Sequence, residues 1–175
     1  MDDAMDAKVF LDEINHDVVD PAMEEGLDPD FYYEYLVTAC SVMPASKATR
    51  TEYDKKRKLA FGKTVEMHDS DPMNVHWLDG CPEQFELQWK AMNGIMDKIE
   101  RYERYNVRET IVALLRFIAL KLDSQKRILD AFLYFSPSNA LLGDASKTAE
   151  GYAEAMAGRK EVEKRAKALM DKYAI

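Results

Sequence analysis

Residues 83–105 read EQFELQWKAMNGIMDKIERYERY. Phe85, Trp89, Met92, Ile95, Met96, Ile99 and Tyr102 recur there mostly at steps of three and four, which places them along one face of a helix. Pro82 sits where a first helical residue tolerates a missing N–H. On the far side, Asn106 and Glu109 make a capping-box pattern that starts a second helix. That helix carries Val107, Ile111, Leu114, Leu115, Ile118 and Leu122 inward. It either breaks near Asp123–Ser124 or runs on through Ile128, Leu129, Phe132 and Leu133. Its apolar arc is wide, as expected of a helix at the centre of a fold.

Working outward, SPSN at 136–139 and Gly143 mark a connection, and a long helix is expected from about Ser146 to Tyr173. Its stripe reads Tyr152, Ala155, Arg159, Val162, Ala166, Leu169, Tyr173, a heptad spacing with one polar interruption. The stripe reads first as packing inside the bundle. The second reading is a homodimer seam through Tyr152, Val162, Ala166, Leu169 and Tyr173. Toward the N-terminus a helix is expected around Ala4–Ile14, then a turn at Asp20–Pro21. Another turn at Asp28–Pro29 opens a helix holding Phe31, Tyr32, Tyr35, Leu36, Ala39 and Val42, ended by Pro44.

Residues 45–80 read as an irregular insertion. Thr51–Lys58 suits a short helix, while Leu59, Phe61, Val65 and Met67 alternate as an irregular hairpin would. The expected fold is therefore all-α: a single domain of five or six helices with that insertion between them. With 175 residues, 47 % apolar and 10 % aromatic, the chain has enough material for one core. No apolar run reaches the roughly 20 residues a bilayer crossing takes. The acidic start, MDDAMDAKVF, lacks the basic-then-apolar order of a secretory signal. Two cysteines, Cys40 and Cys81, are too few for a disulfide framework, so the expected setting is reducing and cytoplasmic.

The net charge of −8 is unevenly spread. Residues 1–34 hold twelve acids and one base, for −11, and the rest of the chain carries +3. Its most basic stretch, Lys47–Lys63, carries +5. Segregated charge favours recognition by surfaces. The acidic segment can dock a basic partner through Asp12, Asp17, Asp20, Glu24, Glu25, Asp28 and Asp30. Alternatively, it can pair with the basic stretch of its own chain. Arg50, Lys55, Lys56, Arg57 and Lys58, with Tyr53 and Phe61 between them, suit nucleic acid or an acidic partner.

No motif names a reaction. The seven glycines are too far apart for a phosphate-cradling loop, and HExxH, CxxC and GxSxG are all absent. Glu13 and His16 form a Glu-x-x-His pair, but on the helix face opposite the apolar one. Glu100 and Glu103 supply one Glu-x-x-Glu of the kind metal-dependent helical phosphohydrolases use, with no Glu-x-x-Asp downstream. His68, Asp69, Asp71 and His76 form the densest set of ligand-type side chains and can hold a divalent metal. Otherwise no cofactor is implied. The leading expectation is a small helical protein–protein interaction module acting through charged surfaces: an adaptor, inhibitor or assembly factor. The alternatives are nucleic-acid binding through 47–63 and metal-dependent phosphoryl hydrolysis at Glu100 and Glu103 or the His68–Asp79 cluster.

Overall fold

The stripe from Phe85 to Tyr102 is buried along its length in a computed structural model of the chain. Met92, Ile95, Met96 and Ile99 have no exposed surface. The structure describes the backbone of residues 3–42, 47–70, 75–135 and 145–175. Side chains are described for residues 6–42, 50–63, 84–130, 153–154 and 156–175.

The elements are α1 (Asp3–Ile14), a π-helical turn (Asn15–Val19), α2 (Asp20–Glu24), α3 (Pro29–Val42), α4 (Lys47–Ser70), α5 (Val75–Arg101), α6 (Arg108–Phe135) and α7 (Ala145–Lys172). Among the described residues there is no strand. The backbone stays right-handed helical through both ends of the π turn, so α1, the turn and α2 form one rod. That makes six rods and an all-α bundle. Neighbour contacts run from α1 and the π turn to α5, then to α7, α6, α3 and α4, and α5 also touches α6. Helices α6 and α3 pack together, and Ile111, Leu114, Leu115 and Ile118 of α6 and Phe31, Tyr35 and Leu36 of α3 are all buried. Phe117 stacks edge-on against Phe31 at 5.2 Å between ring centroids. Each such fully buried side chain contributes about 1.5–3 kcal/mol relative to exposure. No helix of the described residues is long and apolar enough to cross a membrane.

Three expectations are corrected. Residues 47–70 are one continuous helix, so the hairpin over 59–67 is not formed, and the insertion expected over 45–80 is helical wherever it is described. Tyr53 and Ala60, seven residues apart, are buried on one side of α4 and dock it on α3, while Leu59 and Phe61 stay exposed. Leu59 and Phe61, the described members of that alternation, face outward, and the Lys, Arg, Glu and Ala around them are good helix formers. Asp20–Pro21 is no turn either. Pro21 opens α2 directly after the π turn. A proline ring clashes with the carbonyl four residues back, and the wider π turn relieves that crowding. Finally, α5 starts at Val75, so Pro82 lies within the helix and not at its first position.

The true break comes at Gly26, whose φ of 102° suits only glycine, with Leu27 N–H closing on Ala22 C=O at 2.9 Å. Asp28 then caps α3, its Oδ1 accepting from Asp30 N–H at 3.1 Å. Gln84 of α5 clamps this corner by accepting from Asp28 N–H at 3.0 Å and donating to Gly26 C=O at 2.6 Å.

Candidate functional site

The described part of the α7 stripe packs inward. Val162, Ala166, Leu169 and Tyr173 are buried within the chain, so they are not available as a homodimer seam. The side chain of Tyr152 lies outside the described residues. Arg159, the polar interruption, is buried too: its Nε donates to Leu122 C=O at 2.8 Å and its guanidinium pairs with Glu163 at 2.5 Å. A second buried chain runs from Trp89 Nε1 to Gln125 Oε1 at 2.9 Å, and from Gln125 Nε2 to Gln88 Oε1 at 2.6 Å.

Glycine decides how closely the neighbours of α5 approach it. A Cβ on Gly94 would meet Val18 of the π turn at 2.7 Å, and one on Gly158 of α7 would meet the Trp89 ring at the same distance. Between these two close approaches lies an open groove of about 730 Å³, walled by the π turn and α2 on one side and by α7 on the other. Val18, Pro21, Ala22, Trp89 and Val162 supply apolar surface, and Asp17, Glu25, Glu86, Asp97 and Glu161 supply five carboxylates against one ammonium, Lys90.

Three of the five carboxylates have cations of their own. Asp17 accepts from Lys98 at 2.6 Å, Glu25 from Lys90 at 3.2 Å, and Asp97 from Arg165 at 2.5 Å. The Lys98 ammonium, helped by His16, holds the Asp17 carboxyl down at about 2. Glu86 and Glu161 have no cationic partner among the described residues. The groove is therefore acidic, with an apolar floor and two uncompensated carboxylates.

Of the acidic residues expected to meet a partner, Asp17 and Glu25 line the groove, and Asp20 and Glu24 are exposed on the same rod. The others do different work. Asp28 is the buried cap of α3, and burial pushes its carboxyl up to about 6. Asp12 is half-buried, accepting from Lys8 at 2.5 Å and from the Tyr53 hydroxyl at 3.3 Å. Asp30 is half-buried at the start of α3. The acidic segment does pair within its own chain, but with Lys90, Lys98, Arg101 and Lys121 of α5 and α6, while Lys56 and Arg57 of the basic stretch pair with Glu52 and Asp54 beside them. Glu86 and Glu161 have no signal of their own in the sequence; the nearest is Gly94 and Gly158, each isolated inside a helical pattern and so marking a close approach beside the groove.

The π turn joins groove to core. It turns Asn15 inward, where Oδ1 accepts from the buried Tyr35 hydroxyl at 2.7 Å and Nδ2 donates to Tyr53 Oη at 2.6 Å. The same turn sets Asp17 and Val18 on the groove wall.

The remaining candidates are dispersed. Glu13 faces α5, where the Tyr102 hydroxyl, with Lys98 and Arg101, holds its carboxyl below the usual range. His16 is exposed beside Asp17. Glu100 pairs with Arg165 at 3.4 Å and Glu103 with Lys172 at 2.7 Å. Among the described residues, no three His, Cys, Asp or Glu side chains converge on a metal position. The side chains of His68, Asp69, Asp71 and His76 lie outside the described residues. Burial pushes the Cys40 thiol up, the reverse of what an activated nucleophile needs.

The chain matches no protein-family model, no curated protein and no solved structure.

Proposed function

We propose that this chain is a protein–protein interaction module whose groove between the π turn, α5 and α7 receives a basic amphipathic segment of a partner. The observation behind this reading is the pairing of an apolar floor with five carboxylates, two of them uncompensated. An amphipathic helix would lay its apolar residues on Val18, Trp89 and Val162 and its lysines or arginines on Glu86 and Glu161. Rim charges of this sort steer encounter and choose among partners, while the apolar floor supplies most of the affinity. The volume suits one helix face or a short extended peptide.

A fluorescent synthetic Lys/Leu amphipathic helix, titrated with the full chain at low salt, tests the reading. Binding should be saturable and weaken as salt rises. The double variant Glu86→Lys/Glu161→Lys should lose roughly tenfold or more in affinity. A variant that binds the peptide as tightly as the parent chain overturns the proposal.

A further inference from the structure

Helix α4 is unlike the others. Between Arg50 and Lys63 only Tyr53 and Ala60 are buried, and two large apolar side chains, Leu59 and Phe61, stand 63 % and 53 % exposed. Phe61 lies against Tyr33 of α3, with ring centroids 5.6 Å apart and planes tilted by 50°. Arg57 lies four residues before Phe61 and Lys58 three, so all three share a face of the helix, and Arg50 lies two turns further up it. Together Tyr33, Arg57, Lys58 and Phe61 enclose a cleft of about 370 Å³.

The charge on this face is largely free. Arg50 and Lys58 have no acidic partner among the described residues. Arg57 pairs with Asp54 at 3.3 Å, an exposed contact worth at most about 1 kcal/mol and readily exchanged for another anion. An exposed phenyl ring beside a guanidinium and an ammonium matches the two faces of a nucleotide unit, a flat base and a phosphate. An acidic peptide would meet the cations and leave Phe61 in water. An apolar helix would cover Phe61 and Leu59 but strip water from unpaired cations. A duplex hides its base faces, whereas a single strand can present one to the ring. Arg50 lies on the same face about 10 Å further along the helix, so a strand has another cation beyond the cleft itself.

We propose that Tyr33, Arg57, Lys58 and Phe61 form a binding site for a single-stranded nucleic acid, with one base on Phe61 and phosphates on Arg57 and Lys58. The site is separate from the acidic groove and shares no residue with it.

Fluorescence anisotropy of a labelled oligothymidylate with the full chain tests this at low salt. Binding should weaken steeply as salt rises. Phe61→Ala should weaken it on the order of tenfold while keeping the salt dependence, because stacking carries no charge. Arg57→Glu/Lys58→Glu should remove it and flatten the salt dependence of whatever binding is left. All three side chains are at least partly exposed, and an unchanged circular-dichroism melt confirms that each variant folds. The proposal is overturned by absence of binding in the parent chain, or by Phe61→Ala binding as the parent does. It is also overturned if duplex binds as tightly as single strand, or if polyglutamate displaces the oligonucleotide at equal charge concentration. A mononucleotide that competes as well as the strand would likewise overturn it, assigning the cleft to a free nucleotide.

Discussion

Gly158 of α7 approaches the Trp89 ring so closely that a Cβ there would lie 2.7 Å from Cζ3. The ring has little freedom to move aside, since its Nε1 is bonded to Gln125 and its face stacks on Phe85 with centroids 5.9 Å apart. Gly158→Ala would gain about 1 kcal/mol of helix propensity and meet an overpacking cost of about 1–3 kcal/mol. A net loss of stability is expected, read as a lower midpoint in urea. Gly62 of α4 is the control, because a Cβ there meets nothing within 4 Å. Gly62→Ala should add about 0.5–1 kcal/mol of stability and so raise the midpoint. Stabilisation by both changes would show that the Trp89 ring yields.

Asn15 joins three helical rods at one buried point. Replacing it with Ala leaves the fully buried Tyr35 hydroxyl without its acceptor and removes a donor from Tyr53. A buried hydroxyl left unpaired costs about 1–3 kcal/mol, so Asn15→Ala should lose that much in denaturant unfolding. Combining it with Tyr35→Phe should recover part of the loss, because the orphaned group is then gone. Two changes that simply add would deny the coupling.

The parts of this fold legible in the sequence were those whose burial follows a single helical period. The α5, α6 and α7 stripes each place a long apolar series on one face, and α6 runs unbroken past Asp123–Ser124 to Phe135. Helix α4 was not legible, because Tyr53 and Ala60 alone anchor its described part and no window shows a periodic face. The groove was hidden for another reason. Its carboxylates are scattered from Asp17 to Glu161 on three rods, and only packing brings them together. Charge segregation along the chain suggested that acids 1–34 would meet bases 47–63. Apolar faces set the arrangement instead, and the acids took whichever cations α5 and α6 presented.

Burial of the α7 stripe makes a definite statement about mutants there. Leu169 is 6 % exposed and sits among core residues. Leu169→Ala should destabilise the chain by about 2–5 kcal/mol, with the elution volume in size-exclusion chromatography unchanged. A shift from dimer to stable monomer would instead assign the stripe to an interface between copies.

Asp28 gives the fold a pH dependence with a distinctive sign. Its carboxyl is raised to about 6 by burial, against an ordinary value of 3.8. Between those values the folded chain holds a proton that the unfolded chain releases, so stability falls as pH rises from about 4 to 6. Glu13 and Asp17, held below their usual range by Tyr102 and Lys98, act in the opposite sense, and their contribution fades only as pH falls below about 4. Asp28→Asn keeps an oxygen to accept from Asp30 N–H and removes the buried charge. It should therefore raise stability near pH 7 by up to about 2–3 kcal/mol and flatten the decline between pH 4 and 6, while the loss at lower pH remains. Asp28→Ala removes the cap as well, which forfeits about 1 kcal/mol of that gain. Urea midpoints of the parent chain and both variants from pH 3.5 to 8 test the assignment. A parent profile that rises from pH 4 to 6 as steeply as that of Asp28→Asn would mean Asp28 stays ionised in the fold.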